Sequence, residues 1–399
     1  MKNPLAKATP EVGYQTVEWD MLKPPDERVM PLRHTNRLKL SDMSVRPDQN
    51  LTEYSLVDRA GNTYTQADFD QIPETPDPER LDEVLRKVKS SSGKQRRVAL
   101  AHLAPMTAVA PAACAAAVEP MVELLATSPP AVQGEALNVL TTIGESDPER
   151  THPAVDPAVA LLNSGTHSLL WNEAVPFLAM FAEHDASAVT AAVPALATRL
   201  RAESANTNDV ARILAAIGRS QPDALIDVVP KLEVFLETEP GRAHVWILTA
   251  IGHLSKEHPD MTVEVVPTAG ELLSHEGLAL RSNAAGVLAD IAGEYPTEVK
   301  PWAPDAIGLL ADDDAQVRQN AVAILARVAA EHPDAVRPAS EELLAVLEDD
   351  LDRTRFNACW ALNYINATEA VDALREVAAT DPAGDVRSVA ALAVDNIEN

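Results

Sequence analysis

The stretch PTEVKPWAPDAIGLLADDDAQVRQNAVAILARVAAEH, residues 296–332, is followed by Pro333, and 333 − 296 = 37. The same interval sets Pro111, Pro148, Pro222, Pro259 and Pro296, with Asp185 at the vacant grid point. A fixed period of this length is the mark of stacked supersecondary units. Apolar columns keep the same step: Leu140, Phe177, Leu214, Ile251, Leu288, Leu325 and Leu362 share one register, and Ile143, Met180, Ile217, Leu254, Ile291, Val328 and Ile365 another. Columns three residues apart form one face of a helix, and no strict alternation of the strand kind occurs in the repeats. A third column, Leu125, Leu162, Leu236, Leu273, Leu310 and Leu347, lies about half a repeat away and marks a second helix. Each unit is therefore a helix pair. The grid prolines fall between units, where a fixed φ and a missing donor suit a helix's first turn.

A second proline column, Pro120, Pro157, Pro194, Pro230, Pro267 and Pro304, falls within the first helix of each pair and predicts a bend there, since an interior proline costs roughly 3 kcal/mol. Asp312 precedes Arg318 by six residues, as Asp349 precedes Arg355 and Asp381 precedes Arg387. Earlier units depart, with His275 before Arg281 and Thr238 before His244. In these features the chain resembles the HEAT-repeat family, whose first helix carries such a proline and whose intra-repeat turn pairs an aspartate with an arginine six residues on. The stretch from Trp360 to Ile365 also looks armadillo-like. The resemblance implies an all-α, right-handed α-α superhelix of about nine helix pairs over residues 76–399, the last about five residues shorter because 387 − 355 = 32. It implies a fold and no particular activity.

Sixty acidic against 33 basic residues give a net charge of −27, and aromatic residues make up 4%. Carboxylate-rich surfaces stay hydrated at high salt, where screening cuts repulsion to a Debye length of ~3 Å at 1 M. The expectation is a cytoplasmic protein of a salt-accumulating halophile. Regularly spaced hydrophobic residues, 46% of the chain, argue against disorder. Met1 to Pro10 has no apolar core of the signal-peptide kind, and the uncharged run Val98–Val118 is broken by Pro105 and Pro111, so no membrane span is expected. Cys114 and Cys359 stand six or seven units apart, too far for a disulfide within one straight solenoid.

Residues 1–75 lack the period and form an N-terminal extension with 9 basic and 12 acidic residues. Within it Arg28, Arg33, Arg37, Lys39 and Arg46 stand against Asp42 alone, a basic island in an acidic chain. The island is either an internal strap over acidic repeats or a docking segment for an acidic partner; nucleic acid is not expected, because counterion release gives little drive at high salt. Residues 54–65 alternate around Gly61 and Asn62 as a β-hairpin would, and Thr65 to Asp68 is a weak helix-start signal.

One polar column is the candidate binding site. Asn172, Asp209, Trp246, Asn283, Asn320 and Asn357 share a register of the second helix, each asparagine of the last three standing one residue before Ala284, Ala321 or Ala358. The resemblance implies that second helices line the concave side, so the column reads as a track for an extended partner segment. The competing reading is a ladder of hydrogen bonds between repeats. His184, His258 and His332 each follow a glutamate at intervals of 74 (258 − 184 and 332 − 258), too far apart to share a metal ion, and are expected to cap helix C-termini. The acidic runs at 312–314 and 348–350 are expected to cap helix N-termini. Ser90 to Lys94 resembles the end of a P-loop, but Val88 stands where its first glycine belongs. No catalytic residue, metal or cofactor is expected. The reading is a non-catalytic scaffold or adaptor for one or more partner proteins, its rivals being an assembly subunit of a larger complex or an enzyme of the HEAT-like DNA glycosylase or bilin lyase kind.

Overall fold

The computed structural model describes residues 77–164, 168–201 and 206–399, with the two short segments 55–57 and 63–65. Ser55–Val57 and Thr63–Thr65 pair antiparallel, Leu56 opposite Tyr64, as the alternation predicts. The turn at Gly61 and Asn62, the residues after Thr65 in the helix-start signal and the basic island Arg28, Arg33, Arg37 and Lys39 lie outside the described residues.

Nine helix pairs follow among the described residues, and they group into two compact units. In the first unit, residues 77–199 and 206–216, the second helices Gly93–Val109, Pro130–Ser146 and Ser168–His184 pack one on the next. In the second, residues 217–399, the chain of second helices is Arg242–Glu257, Leu278–Ala292, Ala315–Ala329, Asp352–Tyr364 and Gly384–Glu398. Every member of the three apolar columns is buried, none more than 7% exposed. The packing of each pair is thus the packing the period encodes, and burial of these columns is the main stabilising term.

The second proline column does not bend continuous helices. Each of the six first helices that carry one of these prolines has a 3-10 turn before it, as in Pro148–Thr151, His152–Ala154 and Val155–Asn163, and the proline falls in the first turn of the α-segment that follows. Pro304 likewise sits at the start of Ala303–Gly308 after the turn Lys300–Trp302. There the missing N–H has no helical acceptor to lose, so the interior cost is avoided. At the vacant grid point Asp185 does the work of the proline, its carboxylate accepting from Ser187 N–H at 2.9 Å.

The turn arginines latch successive repeats. Arg318 donates to the carbonyl of Asp312, six residues back, at 2.8 Å, and to the carboxylate of Asp349 in the next turn at 2.6 Å. Arg281 holds Asp312 at 2.6 Å and Arg355 holds Asp381 at 2.7 Å. The aspartate–arginine spacing read from the sequence is therefore a carbonyl contact within one turn, while the carboxylate belongs to the arginine of the preceding repeat. One oxygen of each carboxylate also accepts a backbone N–H two residues on, from Asp314, Leu351 and Ala383. Burial pulls upward, most strongly at Asp312, but the arginine hydrogen bond and the backbone N–H together hold Asp312 and Asp381 below the usual carboxylate range. Where the sequence departs, His275 Nδ1 replaces the carboxylate as acceptor for Gly277 N–H at 2.8 Å, and His244 replaces the arginine, accepting from Gly241 N–H at 3.1 Å and meeting Thr238 at 3.3 Å. Asp314 caps Ala315–Ala329 through Gln316 and Val317, as its position predicts, whereas the run 348–350 does not cap the following helix, Asp352–Tyr364, whose N-cap is Leu351 with no side-chain bond.

Candidate functional site

The polar column separates into four kinds of residue. In the first unit Asn172 is half-buried and accepts from the Asn206 amide at 3.0 Å, while Asp209 takes Arg212 at 3.2 Å, the same guanidinium reaching Glu183. In the second, Asn283 is fully buried and donates to Val245 carbonyl at 3.2 Å and to Thr249 Oγ1 at 3.0 Å. Asn320, equally buried, donates to Ser282 carbonyl at 2.9 Å and accepts from the Gln316 amide at 3.1 Å. Each amide ties its helix to the one before, 38 residues back in sequence. Arg327 repeats that step, donating to Ala289 carbonyl beside Asp290. Trp246 is half-exposed on Arg242–Glu257.

Asn357 is different. It is 1% exposed, yet neither its amide nitrogen nor its oxygen has a hydrogen-bond partner. By register its acceptor would be the carbonyl of Gln319, because 357 − 38 = 319. The same helix, Asp352–Tyr364, also carries unpartnered Thr354 Oγ1, Trp360 Nε1 and Tyr364 OH. Its aromatic rings form one strip: Phe356 meets Trp360 edge-on at 6.5 Å, and Trp360 stacks on Tyr364 at 5.5 Å with the planes 21° apart. Asn357 stands three residues before Trp360, so it lies beside the strip. Arg353 and the strip's last member, Tyr364, are both half-exposed, and burial raises the Tyr364 hydroxyl above its ordinary pKa. The aromatic residues here were visible in the sequence, but their lack of polar partners was not.

A second feature escaped the sequence reading. From Val84 to Val118 there is no acidic residue, while Arg86, Lys87, Lys89, Lys94, Arg96 and Arg97 fall within it, so the first helix pair is cationic in an acidic chain. Arg96 is committed inward to the Val88 carbonyl at 3.0 Å, whereas Arg86, Lys89, Lys94 and Arg97 are exposed. The signal was a plain charge run, masked by averaging over the whole chain. Both cysteines are buried and free, and burial pushes the Cys114 and Cys359 thiols up to about 11 and about 12, which leaves neither as a reactive thiolate. Among the described residues no helix is long and apolar enough to cross a membrane.

Comparison with known proteins bears on this geometry. Residues 303–395 match the family model described as HEAT repeats. No curated protein matches the sequence. Among solved structures, a designed armadillo repeat protein in complex with the peptide (KR)4 is 18% identical, with a TM-score of 0.47, over 51% of this chain and 99% of that one. A chain from the structure described as "A conserved phosphorylation switch controls the interaction between cadherin and beta-catenin in vitro and in vivo" is 16% identical, with a TM-score of 0.68, over 80% of this chain and 76% of that one. At such identity the likeness speaks to fold alone. With the buried repeat columns and the stacked second helices, it makes this chain a HEAT/armadillo-like solenoid of helical repeats.

Proposed function

We propose that the chain is a non-catalytic scaffold or adaptor that takes an extended segment of a partner protein against the Asp352–Tyr364 helix. The observation that carries this reading is the orphaned Asn357 amide. A buried polar group without a partner costs about 1–3 kcal/mol, and here four side chains of one helix share that condition while Asn283 and Asn320 do not. An extended backbone offers the N–H and C=O pair that a side-chain amide complements, and the aromatic strip beside it supplies the large, rigid contact area typical of interface anchors. Because Asn357 and Trp360 are nearly inaccessible, engagement requires the Trp360–Tyr364 stack to turn outward. The net charge of −27 supports a setting in a salt-rich cytoplasm.

Photo-crosslinking residues placed at Arg353 and at Tyr364 test the reading in the native host, with Val234, 62% exposed on another helix, as the control. The expected result is one defined protein captured from 353 and 364, absent from 234, and lost in Asn357→Leu with an unchanged circular dichroism spectrum. Equal capture at all three positions, or capture indifferent to Asn357→Leu, overturns it. The rival reading as an assembly subunit predicts a partner that stays bound through purification without crosslinking. Deleting residues 1–75 separates a strap role for the extension, which lowers stability, from a docking role, which removes a partner and leaves stability intact.

A further inference from the structure

Three histidines stand at or just past the ends of second helices two repeats apart, and each points its Nε2 at the side chain just after a grid proline: His184 at Glu149, 2.9 Å; His258 at Asp223, 2.6 Å; His332 at Thr297, 2.8 Å. A glutamate precedes each histidine, at positions 183, 257 and 331. The three stations differ in what surrounds the imidazole. At the first, Glu183 is drawn to Arg212. At the third, the partner is a hydroxyl and offers no charge. At the second, one ligand atom each from Asp223, Glu257 and His258 lie within 4.8 Å of one another, the sole such grouping of three His, Cys, Asp or Glu side chains among the described residues.

We infer that Asp223, Glu257 and His258 bind a divalent transition-metal ion of the zinc class. The donor set decides the class: an imidazole nitrogen with two carboxylates suits zinc, whereas calcium and magnesium favour oxygen-only shells. In a tetrahedral shell with bonds of about 2.0–2.2 Å the ligand atoms stand about 3.4 Å apart, so Asp223 and His258, now 2.6 Å apart, must part as the ion enters. Asp223 and Glu257 are exposed and can make that adjustment by rotation of their side chains. Electrostatics points the same way, since Glu257 is the last residue of a 16-residue helix, where the negative end of the macrodipole already disfavours a carboxylate and a second carboxylate adds to the repulsion. A bound cation removes both penalties. It also ties the start of the first helix of this repeat, Pro222–Val228, to the end of its second helix, leaving coordination positions open to water. Sequence reading missed the site because it weighed the histidines against one another, while the third ligand stands 35 residues before His258.

Titration calorimetry on the untagged, chelator-treated full chain tests this, with zinc chloride and magnesium chloride as the probes. The expected result is one zinc ion per chain at micromolar affinity, at least tenfold weaker in His258→Ala and in Asp223→Asn, unchanged in His184→Ala, and a melting temperature that rises with zinc in the wild type alone or with His184→Ala. These side chains are surface groups, so circular dichroism should be the same for all variants. Zinc binding that survives His258→Ala, falls equally in His184→Ala, or is matched by magnesium overturns the inference, as does the absence of any binding tighter than millimolar.

Discussion

Asn320 and Asn357 stand 37 residues apart in the same register, on adjacent packed helices, and both are buried. Asn320 reaches back to Ser282 carbonyl and is held in turn by Gln316, while the Asn357 amide meets nothing. The Arg–Asp latch runs through both repeats unchanged, from Arg318–Asp349 to Arg355–Asp381. The difference therefore does not come from a loosening of the array. One rung serves cohesion, and the other is buried without a hydrogen bond, the exception that the proposed partner segment would account for.

The largest effect should come from the latch itself. Arg355→Ala leaves Asp381, 4% exposed at its side chain, buried without its cation, and should cost about 3–5 kcal/mol in urea unfolding. A loss that large establishes that arginine, and not Asn357, anchors the Asp352–Tyr364 helix. A loss below about 1 kcal/mol would put the pair among exposed salt bridges and blunt the comparison. Asn283→Leu comes next, with an expected cost of about 1–3 kcal/mol, because Thr249 Oγ1 and the Val245 carbonyl each lose the Asn283 hydrogen bond inside the stack, though they keep the one between them. If Asn283→Leu is neutral, the rungs are not cohesive and the contrast with Asn357 collapses.

The smallest effect concerns the station where histidine stands in for arginine. Burial chiefly, and the nearby His275 secondarily, lower the pKa of His244 below its ordinary value near 6.5, against hydrogen bonds that raise it. The folded state then binds fewer protons than the unfolded one, so the stability that neutral His244 contributes is present above about pH 6.5 and is lost as the pH falls. The wild type should melt progressively lower between pH 7 and 5, and His244→Gln should flatten that slope. An unchanged slope would assign the acid sensitivity to other groups.

Much of this was legible in the sequence. The 37-residue step and the columns at Leu288, Leu325 and Leu362 encode the core directly, since burial follows register wherever packing repeats. What registers do not encode is the reach of a side chain. Asp312 and Arg318 read as a pair within one turn, yet the carboxylate of Asp312 lies closer to Arg281 of the preceding repeat. The column of Asn283, Asn320 and Asn357 was visible as a column, but whether an amide finds a carbonyl 38 residues back depends on the spacing of two packed helices. The prolines at Pro157 and Pro304 signalled an interruption, and the short 3-10 turns before them decide that it is a restart and not a bend.

The most direct test is urea unfolding of Asn320→Leu and Asn357→Leu side by side with the wild type. Leucine fills a similar volume in both, removing a satisfied amide in one and an orphaned one in the other. The account predicts a loss of about 1–3 kcal/mol for Asn320→Leu and no loss, or a gain, for Asn357→Leu. Equal losses in the two variants would mean that Asn357 is structural like its neighbours, and would contradict a role in receiving a partner.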